Sequence, residues 1–151
     1  MTRRISFIVL LFLLSVQGFG QSDRPRGSRE KKFTLTVIIK NIREVAGEMQ
    51  AGLYNNAEDF PKENRQYRLV VRRVEGKVFT CSFRDLPAGD YALAVFQDID
   101  SDGKIDKNMI GIPKEPYGFS NNIKPRLSAP PFEKTKFRLD TDKTLTITLF
   151  D

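Results

Sequence analysis

The chain predicts an all-β fold, an antiparallel sandwich of two sheets and about seven strands, immunoglobulin-like or transthyretin-like. Three observations carry that expectation. Apolar residues recur with a period of two in short runs, Gly, Pro, Asn and Asp punctuate those runs, and no stretch carries a helical apolar stripe of useful length. A length of 151 residues bounds the answer to one domain with a modest core. A small closed barrel is the alternative architecture.

Along residues 33–42, Phe33, Leu35, Val37 and Ile39 alternate with Thr34, Thr36, Ile38 and Lys40, as in a half-buried strand. Met49, Ala51 and Leu53 continue the pattern after Gly47, so residues 33–54 read as a hairpin or a consecutive strand pair. Residues 68–74 and 77–83 are two further strands, and the Glu75-Gly76 link reads as a tight hairpin turn. Leu86-Pro87-Ala88-Gly89-Asp90 is turn chemistry ahead of residues 91–97, which are apolar on both faces and mark the central strand. Tyr91 at its entry is the position of a tyrosine corner, in which a buried phenol bonds to nearby backbone. Residues 98–131 form a long segment broken by Pro113, Pro116, Pro125, Pro130 and Pro131. Residues 135–139 and 144–150 supply the last two strands.

The ends carry an address. Arg3 and Arg4 precede an apolar run from Ile8 to Leu14, and Gly18 and Gly20 close the segment, so residues 1–20 read as a secretory signal cut before Gln21. Ser15, Gln17 and Gly18 interrupt the run too early for a membrane span. The expectation is therefore an exported protein, periplasmic, outer-membrane associated or extracellular, with no transmembrane span in the mature chain. Residues 21–32 hold Arg24, Arg26, Arg29, Lys31 and Lys32 against Asp23 and Glu30, without apolar residues, which predicts a disordered basic tail. The domain proper is expected over residues 33–151. Much of the formal net charge of +6 sits in the signal and tail, leaving the body nearly neutral.

Composition excludes much chemistry. With no His, the chain has no imidazole base, no Ser-His or Cys-His nucleophile and no histidine zinc site. Cys81 is the single cysteine, so no internal disulfide forms, and its place in the alternating run Phe79, Cys81, Phe83 predicts a small buried residue. The arginines between positions 65 and 84 lack the interleaved aromatics of a nucleic-acid surface and read as solvated edge-strand charge.

The sharpest local motif is Asp98-Ile99-Asp100-Ser101-Asp102-Gly103-Lys104-Ile105-Asp106. Its spacing matches the first nine positions of an EF-hand-type calcium loop. Asp98, Asp100 and Asp102 would converge on the ion, Gly103 would permit the sharp turn, the Lys104 carbonyl would point inward, and Asp106 would bind directly or through water. Position 12 is Met109 where a bidentate carboxylate would finish the shell, so a distant carboxylate, a loop carbonyl or water must complete it. The other reading is a solvated Asp-Gly turn relieved by Lys104 and Lys107.

A second stretch runs from Gly111 to Asn122. Tyr117 and Phe119 would stack on a ligand or partner while Ser120, Asn121 and Asn122 hydrogen-bond, or the aromatics would fold back to plug the open end of the sandwich.

The combination of Leu-Pro-Ala-Gly-Asp-Tyr-Ala, Ala-Val-Phe-Gln-Asp with its acidic turn, and Gly-Ile-Pro-Lys-Glu-Pro-Tyr-Gly-Phe-Ser-Asn-Asn resembles a bacterial exported family, domain of unknown function twenty-one forty-one, from about Phe33 to Phe150. The resemblance implies a secreted or envelope β-sandwich without an established activity. Asp98, Asp102, Gly103 and Asp106 and the loop residues Gly111 to Pro113 and Tyr117 to Asn122 carry over by position; Pro116 departs from a more usual glycine.

The leading functional expectation is a non-enzymatic exported domain, stabilised by Ca2+ in the acidic loop, that contacts a protein or an envelope glycan through the adjacent long loop. The alternative is a carbohydrate or small-ligand binding module. A metal-dependent hydrolase using Asp98 or Asp106 stands third, because no further catalytic group is visible.

Overall fold

A computed structural model describes residues 30–126 and 128–150. The expected signal segment and most of the expected basic tail lie outside the described residues.

The strands are β1 (Lys32–Lys40), β2 (Glu48–Tyr54), β3 (Arg68–Arg73), β4 (Phe79–Pro87), β5 (Gly89–Asp98), β6 (Tyr117–Phe119), β7 (Phe137–Leu139) and β8 (Lys143–Thr148). A 3-10 turn, Ser120–Asn122, follows β6, and a single helical turn, α1 (Phe132–Thr135), precedes β7. One sheet has the order β4-β1-β8 and the other β3-β2-β5-β6, with β7 pairing the start of β5. Pairing is antiparallel except between β1 and β8, which run parallel with Val37 opposite Leu145. The expected all-β, mostly antiparallel sandwich is what forms.

The period of two decides the core. Leu35, Val37 and Ile39 of β1 and Phe79, Cys81 and Phe83 of β4 turn inward against Met49, Ala51 and Leu53 of β2 and Leu93 and Val95 of β5. Each fully buried aliphatic side chain of this kind contributes about 1.5–3 kcal/mol. Tyr91 is buried beside them, and its hydroxyl donates to the Pro87 carbonyl at 3.0 Å, the expected corner. Cys81 is only 3% exposed and burial pushes its thiol up to about 11, so it packs as a small apolar residue.

The hairpin expected at Glu75-Gly76 does not form, and residues 33–54 are the consecutive strand pair rather than a hairpin. β3 pairs β2 and β4 pairs β1, so residues 74–78 cross from one sheet to the other. A two-residue hairpin needs positive φ within the link, and neither Glu75 nor Gly76 has it. Val74 instead turns into the core, and its N–H donates to the Gly47 carbonyl at 3.0 Å. β1 and β2 likewise lie in different sheets. The chain between them is held by Gln97, whose amide donates to the Glu44 and Ala46 carbonyls at 2.8 and 2.9 Å. Boundaries also differ: β4 starts at Phe79 and runs on through Pro87, β5 covers Gly89–Asp98, and β8 covers Lys143–Thr148. Lys32, expected in the tail, opens β1 opposite Pro87; the segment expected to be strand from Thr135 begins only at Phe137; and the long loop contains β6.

Candidate ligand cleft and acidic loop

β5 delivers Asp98 to the end of a buried strand, where it is 0% exposed. Its Oδ1 accepts the Asp102 N–H at 3.2 Å, and its Oδ2 accepts the Gly103 N–H at 2.8 Å and the Gln50 amide at 3.2 Å. Asp100 Oδ1 accepts the Asp102 N–H at 3.3 Å, and Asp102 Oδ1 the Lys104 N–H at 2.8 Å. These bonds coil the loop, and Gly103 takes the φ of +84° that the coil requires. Oxygens of Asp98, Asp100 and Asp102 come within 4.8 Å of one another. Among the described residues no ion pair with Lys or Arg compensates them.

The rest of the expected ligand set is arranged differently. Asp106 is not part of the carboxylate group; its N–H and carbonyl instead bond to Glu115 and Lys114. Lys104 supplies its N–H to Asp102. Met109, at position 12, is 105% exposed. It rides on a tight turn in which Asn108 Oδ1 accepts the Ile110 and Ile112 N–H groups at 3.1 and 2.9 Å.

Glu115 is the residue that spacing does not reveal. It is 7% exposed, and its two carboxylate oxygens accept the Ile99 N–H at 2.7 Å and the Asp106 N–H at 3.0 Å, clasping both ends of the acidic loop. Burial raises its pKa; the two N–H bonds oppose that rise, and the charges of Asp98 and Asp100 add to it. Its sequence surroundings, Lys-Glu-Pro in a proline-broken loop, carry no pattern that points back sixteen positions to Ile99.

Of the expected contact residues, Tyr117 is half-buried, Phe119 and Ser120 are buried, and Asn121 and Asn122 are exposed but bonded to neighbouring backbone. Ser120 Oγ accepts the Leu93 N–H at 2.9 Å and donates to the Thr135 carbonyl at 2.6 Å. The Asn121 amide donates to the Lys134 and Lys136 carbonyls at 3.2 and 3.0 Å. Asn122 donates to the Thr146 carbonyl at 3.1 Å and accepts the Thr148 N–H at 2.8 Å. Tyr117 exchanges backbone hydrogen bonds with Phe150, and its ring lies edge-on to Phe119 and Phe150 at 6.0 and 6.2 Å. A Cβ on Gly118 would stand 2.7 Å from Ile147 Cγ2, so only glycine lets β6 lie this close to β8. The segment is a clasp between β5, α1 and β8, which is the plug alternative rather than an outward recognition loop. Pro116 fits it, because its carbonyl, not an N–H, bonds to the Gln97 N–H at 2.8 Å.

The available concavity lies elsewhere. Residues of β2 and β5 that alternate with the core, among them Gln50, Gly52, Tyr54, Ala94 and Phe96, form the floor of a cleft of about 550 Å³ on the outer face of the larger sheet. Tyr117 and Phe119 close one side. Residues from the loop after β2, including Pro61 and Gln66, from the long loop, including Ile105, Lys107 and Ile112, and Pro125, Arg126, Ser128 and Ala129 provide walls. Behind the cleft, Tyr54, Phe60, Ala92, Phe119 and Phe132 form a second apolar cluster with edge-on ring pairs at 5.2–6.1 Å, which keeps the aromatic wall fixed.

No curated protein and no solved structure matches the chain. A family model does, over residues 37–148, a span that contains the acidic loop, the Glu115 clasp and the Tyr117–Asn122 segment. The chain therefore belongs to the family described as an uncharacterized protein conserved in bacteria, DUF2141.

Proposed function

We propose that this domain is a non-catalytic binding module that takes a small ligand into the cleft above Gly52 and Ala94. The cleft carries this reading: its volume, about 550 Å³, lies within the range of small-molecule sites, and its floor is rigid sheet rather than loop. The chemistry of the chain agrees, since it holds no His and its single thiol is buried. The small-ligand alternative is preferred to the leading expectation of a partner contact, because Tyr117 and Phe119 line the cleft while the Ser120, Asn121 and Asn122 side chains bond within the domain. Export by the residue 1–20 signal remains part of the proposal and would make the ligand an envelope or extracellular compound.

A thermal-shift screen of the purified protein against neutral, anionic, cationic and saccharide compounds tests the reading. Compounds that raise the melting temperature of the wild type and not of Ala94→Leu, whose larger side chain fills the floor, support it. A screen without such compounds overturns it.

A second reading concerns the acidic loop. We propose that Ca2+ is held by Asp98, Asp100 and Asp102, with the remaining oxygens from backbone or water. The meeting of three carboxylates without a cationic partner favours it. Calcium there would neutralise the loop and fasten the segment that continues through Ile105 and Lys107 into the cleft wall.

A further inference from the structure

We infer that the ligand of this cleft is a small amphipathic anion, a free medium-chain carboxylate, with its apolar body on the sheet floor and its charge at Lys107 and Arg126. The inference rests on the cleft reading above and deepens it.

The floor and walls offer mostly carbon. Phe96, Tyr117, Leu69 and Ile112 line a space whose floor includes the facing pair Gly52 and Ala94, with the Gln66 side chain lying over Gly52. Leu69 and Ile112 are nearly half exposed, so a chain laid between them removes apolar surface from water. Two of the hydrogen-bonding side chains in the lining are already engaged: the Gln50 amide donates to Asp98, and the Tyr54 hydroxyl donates to the Lys62 carbonyl at 3.1 Å.

Charge completes the assignment. Three cations line the cleft: Lys62, which adjoins Glu63 and whose charge acts on Asp59, and Lys107 and Arg126; none forms an ion pair among the described residues. The carboxylates of Asp98, Asp100 and Asp102 do not line it, and Glu63 is the acid that does. An anionic head at Lys107 and Arg126 meets two of these cations, one of them a guanidinium fork suited to a carboxylate. A cleft of about 550 Å³ holds one such chain whole, which favours a free acid over the headgroup of a lipid still embedded in a bilayer.

Isothermal titration of the purified protein with sodium decanoate, sodium octanoate, decanol and decyltrimethylammonium, each below its aggregation threshold, tests the inference. Decanoate is expected to bind about fifteenfold more tightly than octanoate, from two methylenes at about fourfold each. Decanol should bind at least about tenfold more weakly than decanoate, and the cation more weakly still. Lys107→Gln with Arg126→Gln should bring decanoate to the level of decanol while leaving decanol binding and the melting temperature unchanged. Ala94→Leu should abolish both. Equal binding of decanol and decanoate, or an unaltered decanoate affinity in the double variant, overturns the anion assignment and leaves the cleft reading standing. Tight binding to anionic phospholipid vesicles without binding of free decanoate overturns the assignment to a free acid. If none of the four probes binds and the wider screen yields no ligand sensitive to Ala94→Leu, the cleft reading itself falls.

Discussion

Glu115 Oε1 accepts the Ile99 N–H at 2.7 Å, joining the end of the long loop to its beginning. Its second oxygen accepts the Asp106 N–H at 3.0 Å, so one buried carboxylate closes the acidic loop without belonging to it. Glu115→Gln keeps one acceptor and turns an NH2 group toward the other N–H. A buried donor left without a partner costs about 1–3 kcal/mol. Urea unfolding should show that loss at unchanged m-value, while Glu58→Gln, an exposed surface change, should stay within about 0.5 kcal/mol of wild type.

Ser120 supports the opposite end of β5. Its hydroxyl serves the Leu93 N–H and the Thr135 carbonyl at once and is 0% exposed, out of reach of water. Ser120→Ala should cost about 2–4 kcal/mol, one unsatisfied buried donor plus one weakened acceptor. Hydrogen exchange checks the mechanism, because the Leu93 amide should lose protection more than the amides of β1. Uniform loss across both sheets would contradict a local origin.

Calcium should raise stability selectively. With a dissociation constant of about 1 mM, at the weak end expected for an incomplete loop, about 10 mM calcium adds about 1.4 kcal/mol. Magnesium at the same concentration should add much less, since it demands a tighter octahedral shell. Melting curves in chelator, calcium and magnesium should therefore separate, and Asp98→Asn with Asp102→Asn should merge them. Coincident wild-type curves would reduce the loop to a hydrogen-bonded acidic turn.

Alkaline pH should weaken the fold in two steps. Burial pushes the Cys81 thiol from 9.0 up to about 11, and the Tyr54 phenol from 10.0 up to about 12. In both cases the folded protein keeps a proton that the unfolded chain has released. Stability is therefore full below the unfolded value and falls as pH rises toward the folded one. Chemical denaturation across this range should show a decline from about pH 9 to 11 that Cys81→Ala removes, and a later one that it leaves. A thiol reagent at pH 8 should label Cys81 only after denaturant is added.

The candidate sites were legible to unequal degrees. Asp98, Asp100 and Asp102 could be read because a coiled loop brings residues two apart onto one point, a purely local geometry. Asp106 shares the local spacing but is drawn off by Lys114 and Glu115, and Glu115 is supplied by a return of the chain that no spacing rule encodes. Tyr117 to Asn122 stood out correctly as unusual, yet composition could not tell whether amides and rings faced out or in. The cleft was invisible, since its floor is the second face of strands whose first face forms the core, and its walls come from three separate loops.

What the sequence by itself determined is local: the all-β class, most strand positions, the inward set Leu35, Val37, Ile39, Met49, Ala51 and Leu53, and the Tyr91 corner. Alternation suffices for these, because successive side chains on a strand point to opposite faces whatever the neighbouring strand is. Only the tertiary structure decided which strands pair. The crossing of β3 and β4 into different sheets, the parallel union of β1 with β8, and the laying of β6 along β5 depend on contacts between residues far apart in the chain. Those contacts form where apolar faces can be covered on both sides at once, a condition on the whole packed domain that no short window of residues contains.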